Sequence, residues 1–169
     1  MITRLFGGFF VAFVLFAALT SLFDKSNKDG NLVGGWEYVE AYTEFPDGRR
    51  VNQFSSSPRG YFIILPNGHY SHIVIAGDLP KLADGTFRDN TPEENKAIAE
   101  GTLSHFGTYV QDSPTTFTVT IVKSSFPNFD GIKQTREITK LTNDTLQYIN
   151  VLTTSGPGAK VVATLKRIW

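Results

Sequence analysis

The chain has 169 residues, of which 41% are hydrophobic and 19% charged, and its 16 basic residues balance 16 acidic ones. This length supports one domain with a substantial core. The balanced charge argues against a nucleic-acid partner, because no basic field would concentrate phosphate groups. Without cysteine, the chain forms no disulfide, thiolate metal site, cysteine nucleophile or acylated lipoprotein anchor.

The N-terminus, residues 1–23, contains an uncharged run from Leu5 to Phe23 behind Arg4. About 20 apolar residues can cross a bilayer, so the run predicts a hydrophobic helix that is either a signal peptide or an uncleaved membrane anchor. The small residues at 18–21 offer only a mediocre cleavage site, which slightly favours the anchor. Arg4 favours an outside location for the rest of the chain, exported into the periplasm or held at the cytoplasmic membrane. Residues 24–31 are interpreted as a linker and 32–169 as the folded domain.

The domain consists of short β-rich runs separated by turn residues, a pattern typical of an antiparallel barrel or sandwich. Four connectors have hairpin chemistry, at 66–68, 112–115, 142–144 and 155–158. Eight strands that close on themselves leave no exposed edge, and a ring of that size encloses side chains or one small ligand. The pattern therefore predicts an all-β, eight-stranded, antiparallel up-and-down barrel. Its strands are Val33–Phe45, Arg59–Leu65, His69–Ala76, Phe106–Gln111, Phe117–Ser125, Ile132–Leu141, Leu146–Thr153 and Lys160–Ile168.

One long connection, residues 77–105, contains a helix start. Thr91 is placed to cap it, Pro92 suits the first helical position, and Glu94 is the capping-box partner. We expect one short helix of about three turns within Thr91–Ser104, lying on the barrel or over its mouth.

The first strand opens with Gly34-Gly35-Trp36 and the last contains Arg167. This start, with the later blocks "RGYFIILPNGHYSHIVI", "NTPEENKAIAEGTLSHFGTYVQD" and "SSFPNFDGIKQTREI", resembles the bacterial lipocalin-like domain family over roughly residues 32–168. The resemblance implies a lipocalin-type barrel in which Trp36 plugs one end and Arg167 packs across its indole, with Gly34 as part of the same motif. It implies no single shared reaction. Any histidine chemistry that relatives have just before "FGTY" or in the strand before "PN" is not carried over to this chain.

Strand alternation indicates which side chains line the interior. In the sixth strand, Lys133, Thr135 and Glu137 occupy one face, which leaves Gln134 and Arg136 inside. The same alternation places further polar groups inside: Tyr38, Glu40, Tyr42 and Lys123. A buried charge is costly unless it is paired. Arg136 therefore either has a structural role, paired with Glu40 or with loop carbonyls or placed at the wet mouth, or binds the acidic head group of a ligand.

Three functions remain open at this point. The preferred one is a binding protein for a small hydrophobic or amphipathic molecule, with a carboxylate among the candidates, recognised by the interior residues Arg136, Tyr38, Glu40, Tyr42, Gln134 and Lys123. The second is a cofactor-free isomerase or cyclase, for which Glu40 or His72 would be the acid–base group. The third is a filled barrel with a structural role in the envelope. No cofactor is indicated, and no complete catalytic constellation is recognisable.

The remaining motifs have ordinary structural explanations. His69 and His72 project to opposite faces of one strand and His105 is expected at the helix end, so we expect no metal site. The corner Ser124–Gly131 is interpreted as a rigid turn in preference to a ligand loop. Asn143 is in a glycosylation-type sequence that an ordinary hairpin turn also explains.

Overall fold

A computed structural model describes residues 31–169 except 84, 87 and 152–155. Within these residues the chain forms nine strands, one α-helix and one 3-10 turn. The elements are β1 (Gly34–Glu44), β2 (Arg50–Asn52), β3 (Arg59–Ile64), β4 (His69–Ile75), α1 (Pro92–Gly101), β5 (Thr102–Ser113), β6 (Thr116–Ser124), the 3-10 turn (Pro127–Phe129), β7 (Lys133–Leu141), β8 (Thr145–Asn150) and β9 (Lys160–Arg167).

The strands form one antiparallel meander that closes on itself. From β3 to β9 each strand pairs with the next, and β1 pairs with both β3 and β9, which completes a barrel of eight strands. The short β2 adds to the far end of β1 without entering the ring. The predicted eight-stranded up-and-down barrel is confirmed, and closure leaves its ring without an unpaired edge.

Trp36 closes one end of the barrel. Its side chain is completely buried, its indole nitrogen donates to the carbonyl of Leu32, and the guanidinium of Arg167 lies 4.0 Å from the ring centroid. Arg167 also donates to the backbone carbonyls of Val33, Asn31 and Asn143. The predicted pairing of Trp36 with Arg167 is confirmed, and this end of the barrel is joined by both stacking and hydrogen bonds.

The helix α1 follows the predicted signals. The Thr91 side chain accepts from the backbone of Glu94, and the Glu94 carboxylate accepts from the backbone of Thr91. The helix ends at Gly101, and residues 102–104, which we expected to be helical, begin β5. The early end has a local reason: Thr102 is already extended and donates its hydroxyl to the carbonyl of Ile98.

A β-bulge in β1 changes which side chains face the interior. The pairing of β1 with β9 shifts between Tyr38 and Glu40, which inserts one extra residue and inverts the alternation beyond it. Ala41 and Thr43 are therefore buried, whereas Glu40 is exposed and Tyr42 packs outside beneath the guanidinium of Arg50. The expectation that Glu40 and Tyr42 face the interior is wrong, because strict alternation does not survive a bulge.

A second bulge explains why Lys123 does not face the interior, where we expected it. Phe106 pairs with Lys123 but Gly107 pairs with Ile121, so Val122 is the extra residue of β6. Beyond it the parity inverts, and Lys123 projects into solvent, where its ammonium lies 2.6 Å from the Asp130 carboxylate. A Cβ on Gly107 would lie 2.0 Å from the carbonyl oxygen of Thr120, so only glycine permits this close pairing.

The predicted hydrophobic helix at residues 1–23 and most of the predicted linker lie outside the described residues. No helix among those the structure describes is long and apolar enough to cross a membrane.

Candidate functional site

A cavity of about 220 Å³ opens at the end of the barrel opposite Trp36. It lies between the barrel interior and three outer segments, which are α1, the loop after β2 and the 3-10 corner. Its polar walls are made by Tyr38, Gln53, His72, Glu100, Thr102, His105, Gln134, Arg136, Tyr148 and Asn150, and its apolar walls by Ala41, Phe54, Val74, Ala99, Leu103, Phe126, Phe129, Val161 and Ala163. The helix therefore lies over a mouth, one of the two placements expected from the sequence.

Arg136 is the charged group of this cavity. The alternation of β7 turns it inward, as predicted, and its side chain is only 3% exposed. The Nη2 atom lies 3.4 Å from Oε1 of Gln134, whereas Nε and Nη1 have no hydrogen-bond partner among the described residues. Among the described residues no carboxylate forms a salt bridge with it, so the expected pair with Glu40 is not formed.

Aromatic rings hold the Arg136 guanidinium in place. Its central carbon lies 4.9 Å from the ring centroid of Tyr148, 5.1 Å from that of Phe62 and 5.8 Å from that of Phe117. These rings stabilise the cation through their faces. Since Nε and Nη1 make no hydrogen bond within the part of the chain that the structure describes, these two groups are the ones that could donate to a ligand.

A hydrogen-bond chain crosses the same cavity. The hydroxyl of Tyr38 lies 2.5 Å from Nε2 of His72 and 2.8 Å from the hydroxyl of Tyr148. Burial raises the pKa of Tyr38 well above its ordinary value; the nearby Tyr148 adds to this and the positive charge of Arg136 opposes it. Tyr38 is therefore a neutral phenol at neutral pH.

Two histidines meet face to face beside this chain. His72 in β4 pairs across the ladder with His105 in β5, and their rings stack with centroids 4.3 Å apart. Burial, then the neighbouring His105 and Arg136, hold the pKa of His72 well below 6.5; burial and Arg136 lower the pKa of His105 to about 3. Both rings are therefore neutral hydrogen-bonding groups and weak bases at neutral pH.

The outer rim of the cavity is aromatic. Phe126 and Phe129, from the corner predicted as a rigid turn, pack edge to face with ring centroids 4.9 Å apart. The Asp130 carboxylate fixes this corner by accepting from the backbone of Ser124. The segment is thus an ordered turn that also supplies two rings to the cavity wall.

The fold and this geometry agree with a comparison at family level. A family described as a lipocalin-like domain matches residues 33–168. The chain belongs to this lipocalin-like family. No curated protein matches the chain.

Three solved structures to which this lipocalin-like domain is similar are designed or redesigned barrels. A redesigned β-barrel is 19% identical, with 80% of this chain and 90% of that chain covered and a TM-score of 0.39. A de novo designed fluorescence-activating β-barrel is 14% identical, with 80% and 93% covered and a TM-score of 0.39. A redesigned β-barrel bound to DFHBI is 18% identical, with 80% and 94% covered and a TM-score of 0.36.

The lipocalin-like barrel brings together only part of the predicted site. Tyr38, Gln134 and Arg136 line the cavity, as does the acid–base candidate His72. Glu40, Tyr42 and Lys123 lie outside because of the two bulges. Within the described residues, no group of three or more His, Asp or Glu side chains is placed to hold a metal ion.

Two important cavity residues were missed from the sequence. His105 was expected at the helix end, yet it lies inside β5 opposite His72. Tyr148 is in a strand that is apolar on both parities, so its direction was open. The two histidines face each other because β4 pairs with β5 as the two strands of a hairpin do. The long insertion with the helix lies between these strands in the sequence, so their pairing could not be read from the spacing of the two histidines.

Proposed function

We propose that this lipocalin-like domain binds a small amphipathic carboxylate, whose charge meets Arg136 and whose apolar part points toward the mouth. The observation that carries the proposal is the pair of unpartnered nitrogens, Nε and Nη1, on a guanidinium that is 3% exposed and lines a cavity. A buried charge with unmade hydrogen bonds is costly in the free protein. A carboxylate supplies both the opposite charge and two acceptor oxygens.

The size and lining of the cavity define the ligand further. Its 220 Å³ is below the roughly 300–1,000 Å³ of sites for drug-sized molecules. The enclosed part of the ligand is therefore small, and a longer tail would leave between Phe126, Phe129 and Phe54 at the rim. These rings favour an aromatic or aliphatic tail over a polar one.

Binding is a better account of the site than catalysis. An isomerase or cyclase would need an acid–base group, and of the two candidates Glu40 is exposed outside the barrel. His72 is in the cavity wall, but its lowered pKa makes it a weak base at neutral pH. A filled structural barrel is disfavoured by the cavity and by the unmade hydrogen bonds of Arg136.

Titration calorimetry of the domain with phenylacetate and octanoate tests the proposal, with phenylacetamide as a ligand of the same shape and no charge. We expect both carboxylates to bind, the amide to bind at least about tenfold more weakly, and Arg136→Met to abolish the difference. Lys133→Met is the matched control, because it removes one positive charge from the outer face of the same strand. Equal binding of acid and amide, or equal losses in both variants, would overturn the proposal.

The segment 1–23 would deliver this binding domain outside the cytoplasmic membrane, as a signal peptide or as an anchor. The uncharged run Leu5–Phe23 behind Arg4 supports this part of the proposal. Cell fractionation combined with protease accessibility tests it. Recovery of the uncleaved chain from the cytosol, unbound to membrane, would reject it.

A further inference from the structure

The chemistry of the two groups favours one direction for the hydrogen bond between Tyr38 and His72. The two atoms are 2.5 Å apart, the phenol O–H is a stronger acid than the N–H of a neutral imidazole, and the unprotonated imidazole nitrogen is a stronger base than a phenol oxygen. The phenol of Tyr38 is therefore the donor, and Nε2 of His72 accepts. Since the Tyr38 proton is used here, the Tyr148 hydroxyl is the donor in the 2.8 Å contact with Tyr38.

This direction fixes the tautomer of His72. A neutral imidazole carries one proton, so a ring that accepts at Nε2 must carry its proton at Nδ1. That Nδ1 atom is buried, in a side chain only 4% exposed, and has no hydrogen-bond partner in the part of the chain that the structure describes. His72 thus presents an unpartnered N–H group in the wall of the same cavity as Arg136.

The unpartnered buried side-chain atoms of the described residues are then all donors. They are Nδ1 of His72 and Nε and Nη1 of Arg136, and none is an acceptor awaiting a proton. A single carboxylate satisfies the arginine, which leaves the imidazole N–H in need of a further acceptor. A carbonyl oxygen supplies that acceptor without adding a proton that would itself need a partner.

We infer that His72 is a specificity-determining residue of this site and that the preferred ligand is a small 2-oxo carboxylate, with its carboxylate on Arg136 and its oxo group on the N–H of His72. This inference rests on the proposed function and deepens it. Both side chains are in the walls of one cavity of 220 Å³, so a single small ligand can meet both of them.

Two small acids separate the inference from the proposed function. Phenylglyoxylate and phenylacetate have the same ring and carboxylate, and differ in a carbonyl against a methylene next to the carboxylate. We expect the wild-type domain to bind phenylglyoxylate about tenfold more tightly, the effect of one hydrogen bond to a buried donor. If both acids bind equally and both need Arg136, the proposed function stands and this inference falls. If neither acid binds, the proposed function itself fails.

Variants identify His72 as the source of the preference. His72→Phe keeps an aromatic ring in the stack and should bring phenylglyoxylate down to the affinity of phenylacetate, with little change for the latter. Tyr38→Phe removes the donor that fixes the tautomer and should reduce the same preference. Tyr70→Phe is the matched control, since Tyr70 makes the equivalent bond to His105 and does not line the cavity. It should keep the tenfold preference.

A spectroscopic measurement keeps the inference falsifiable if a variant fails to fold. The ¹⁵N chemical shifts of the wild-type histidines report directly which ring nitrogen carries the proton. We expect protonated Nδ1 and bare Nε2 in His72, and a shift of the Nδ1 resonance when phenylglyoxylate, but not phenylacetate, is added. A His72 that carries its proton at Nε2 would overturn the inference.

Discussion

The imidazole rings of His72 and His105 stack across neighbouring strands, with 4.3 Å between their centroids and 17° between their planes. Each ring bonds to a tyrosine hydroxyl, His72 to Tyr38 and His105 to Tyr70. The stack tolerates no positive charge, because the rings face each other and both lie near Arg136. Protonation of this pair is therefore coupled to unfolding.

The stability of the domain should fall as the pH decreases below about 6.5. The unfolded chain binds protons on both histidines below their ordinary pKa near 6.5, whereas the folded chain does not, because its pKa values are lowered, for His105 to about 3. The stabilisation that the two neutral histidines give the folded chain is therefore complete above about pH 6.5 and is lost progressively toward pH 3. We expect each histidine to cost about 1.4 kcal/mol per pH unit within that window.

Urea unfolding between pH 5 and 6.5 measures this slope above the range where most carboxylates titrate. The ion pairs of Glu44 and Asp130, whose pKa values are lowered by Lys160 and Lys123, contribute at lower pH. The double variant His72→Phe, His105→Phe should flatten the slope, while His69→Gln, at an exposed position, should not. An unchanged slope in the double variant would show that other groups cause it.

The bulge in β1 predicts that a substitution at position 40 has little effect on stability, whereas a charged residue at position 41 has a large one. Glu40→Ala should change the free energy of unfolding by less than about 0.5 kcal/mol, because Glu40 is exposed. Ala41→Lys should cost about 3 kcal/mol or more, because Ala41 is 3% exposed and lines the same cavity as Arg136, so an ammonium there would be buried near a like charge. Chemical denaturation of the two variants gives the answer. A larger loss of stability at position 40 than at position 41 would mean that strict alternation holds through β1.

Loss of the Arg167 side chain should open the closed end of the barrel. Arg167→Met removes the stack on Trp36 and the hydrogen bonds to three backbone carbonyls, and we expect a loss of about 2–3 kcal/mol. Arg167→Lys should recover only part of this, since an ammonium cannot reproduce the planar fork. Lys166→Met is the neighbouring control; it removes an exposed ion pair with Glu37 and should cost less than about 1 kcal/mol. Similar losses for both positions would contradict the assigned role.

Much of this structure follows from the sequence, and the parts that do not have two physical causes. The barrel, the capped helix and the inward direction of Arg136 depend on local pattern, which a sequence displays, and the Trp36 plug was implied by the family resemblance. Glu40, Tyr42 and Lys123 depend on bulges, and one inserted residue inverts every later side chain in the strand. The stack of His72 on His105 depends on a register between strands that are separated by a helical insertion, and nothing local to either strand encodes it.

The last prediction concerns the stability of the ligand-free domain when Arg136 is replaced. A buried cation with two unpartnered nitrogens destabilises the free protein, and the three aromatic rings around it offset only part of that cost. Arg136→Met fills the same space with an apolar chain. We therefore expect its free energy of unfolding to be unchanged or higher, by up to about 3 kcal/mol, with binding of phenylacetate lost.

Calorimetric and urea unfolding of protein freed from any bound molecule by refolding measures this difference, and phenylacetate should raise the midpoint of the wild type but not of the variant. Gain of stability with loss of binding is the behaviour of a residue kept for its ligand. A structural arginine behaves in the opposite way, because its removal leaves partners unsatisfied. A loss of more than about 2 kcal/mol in Arg136→Met would therefore assign Arg136 to the fold and remove the main support for a carboxylate site.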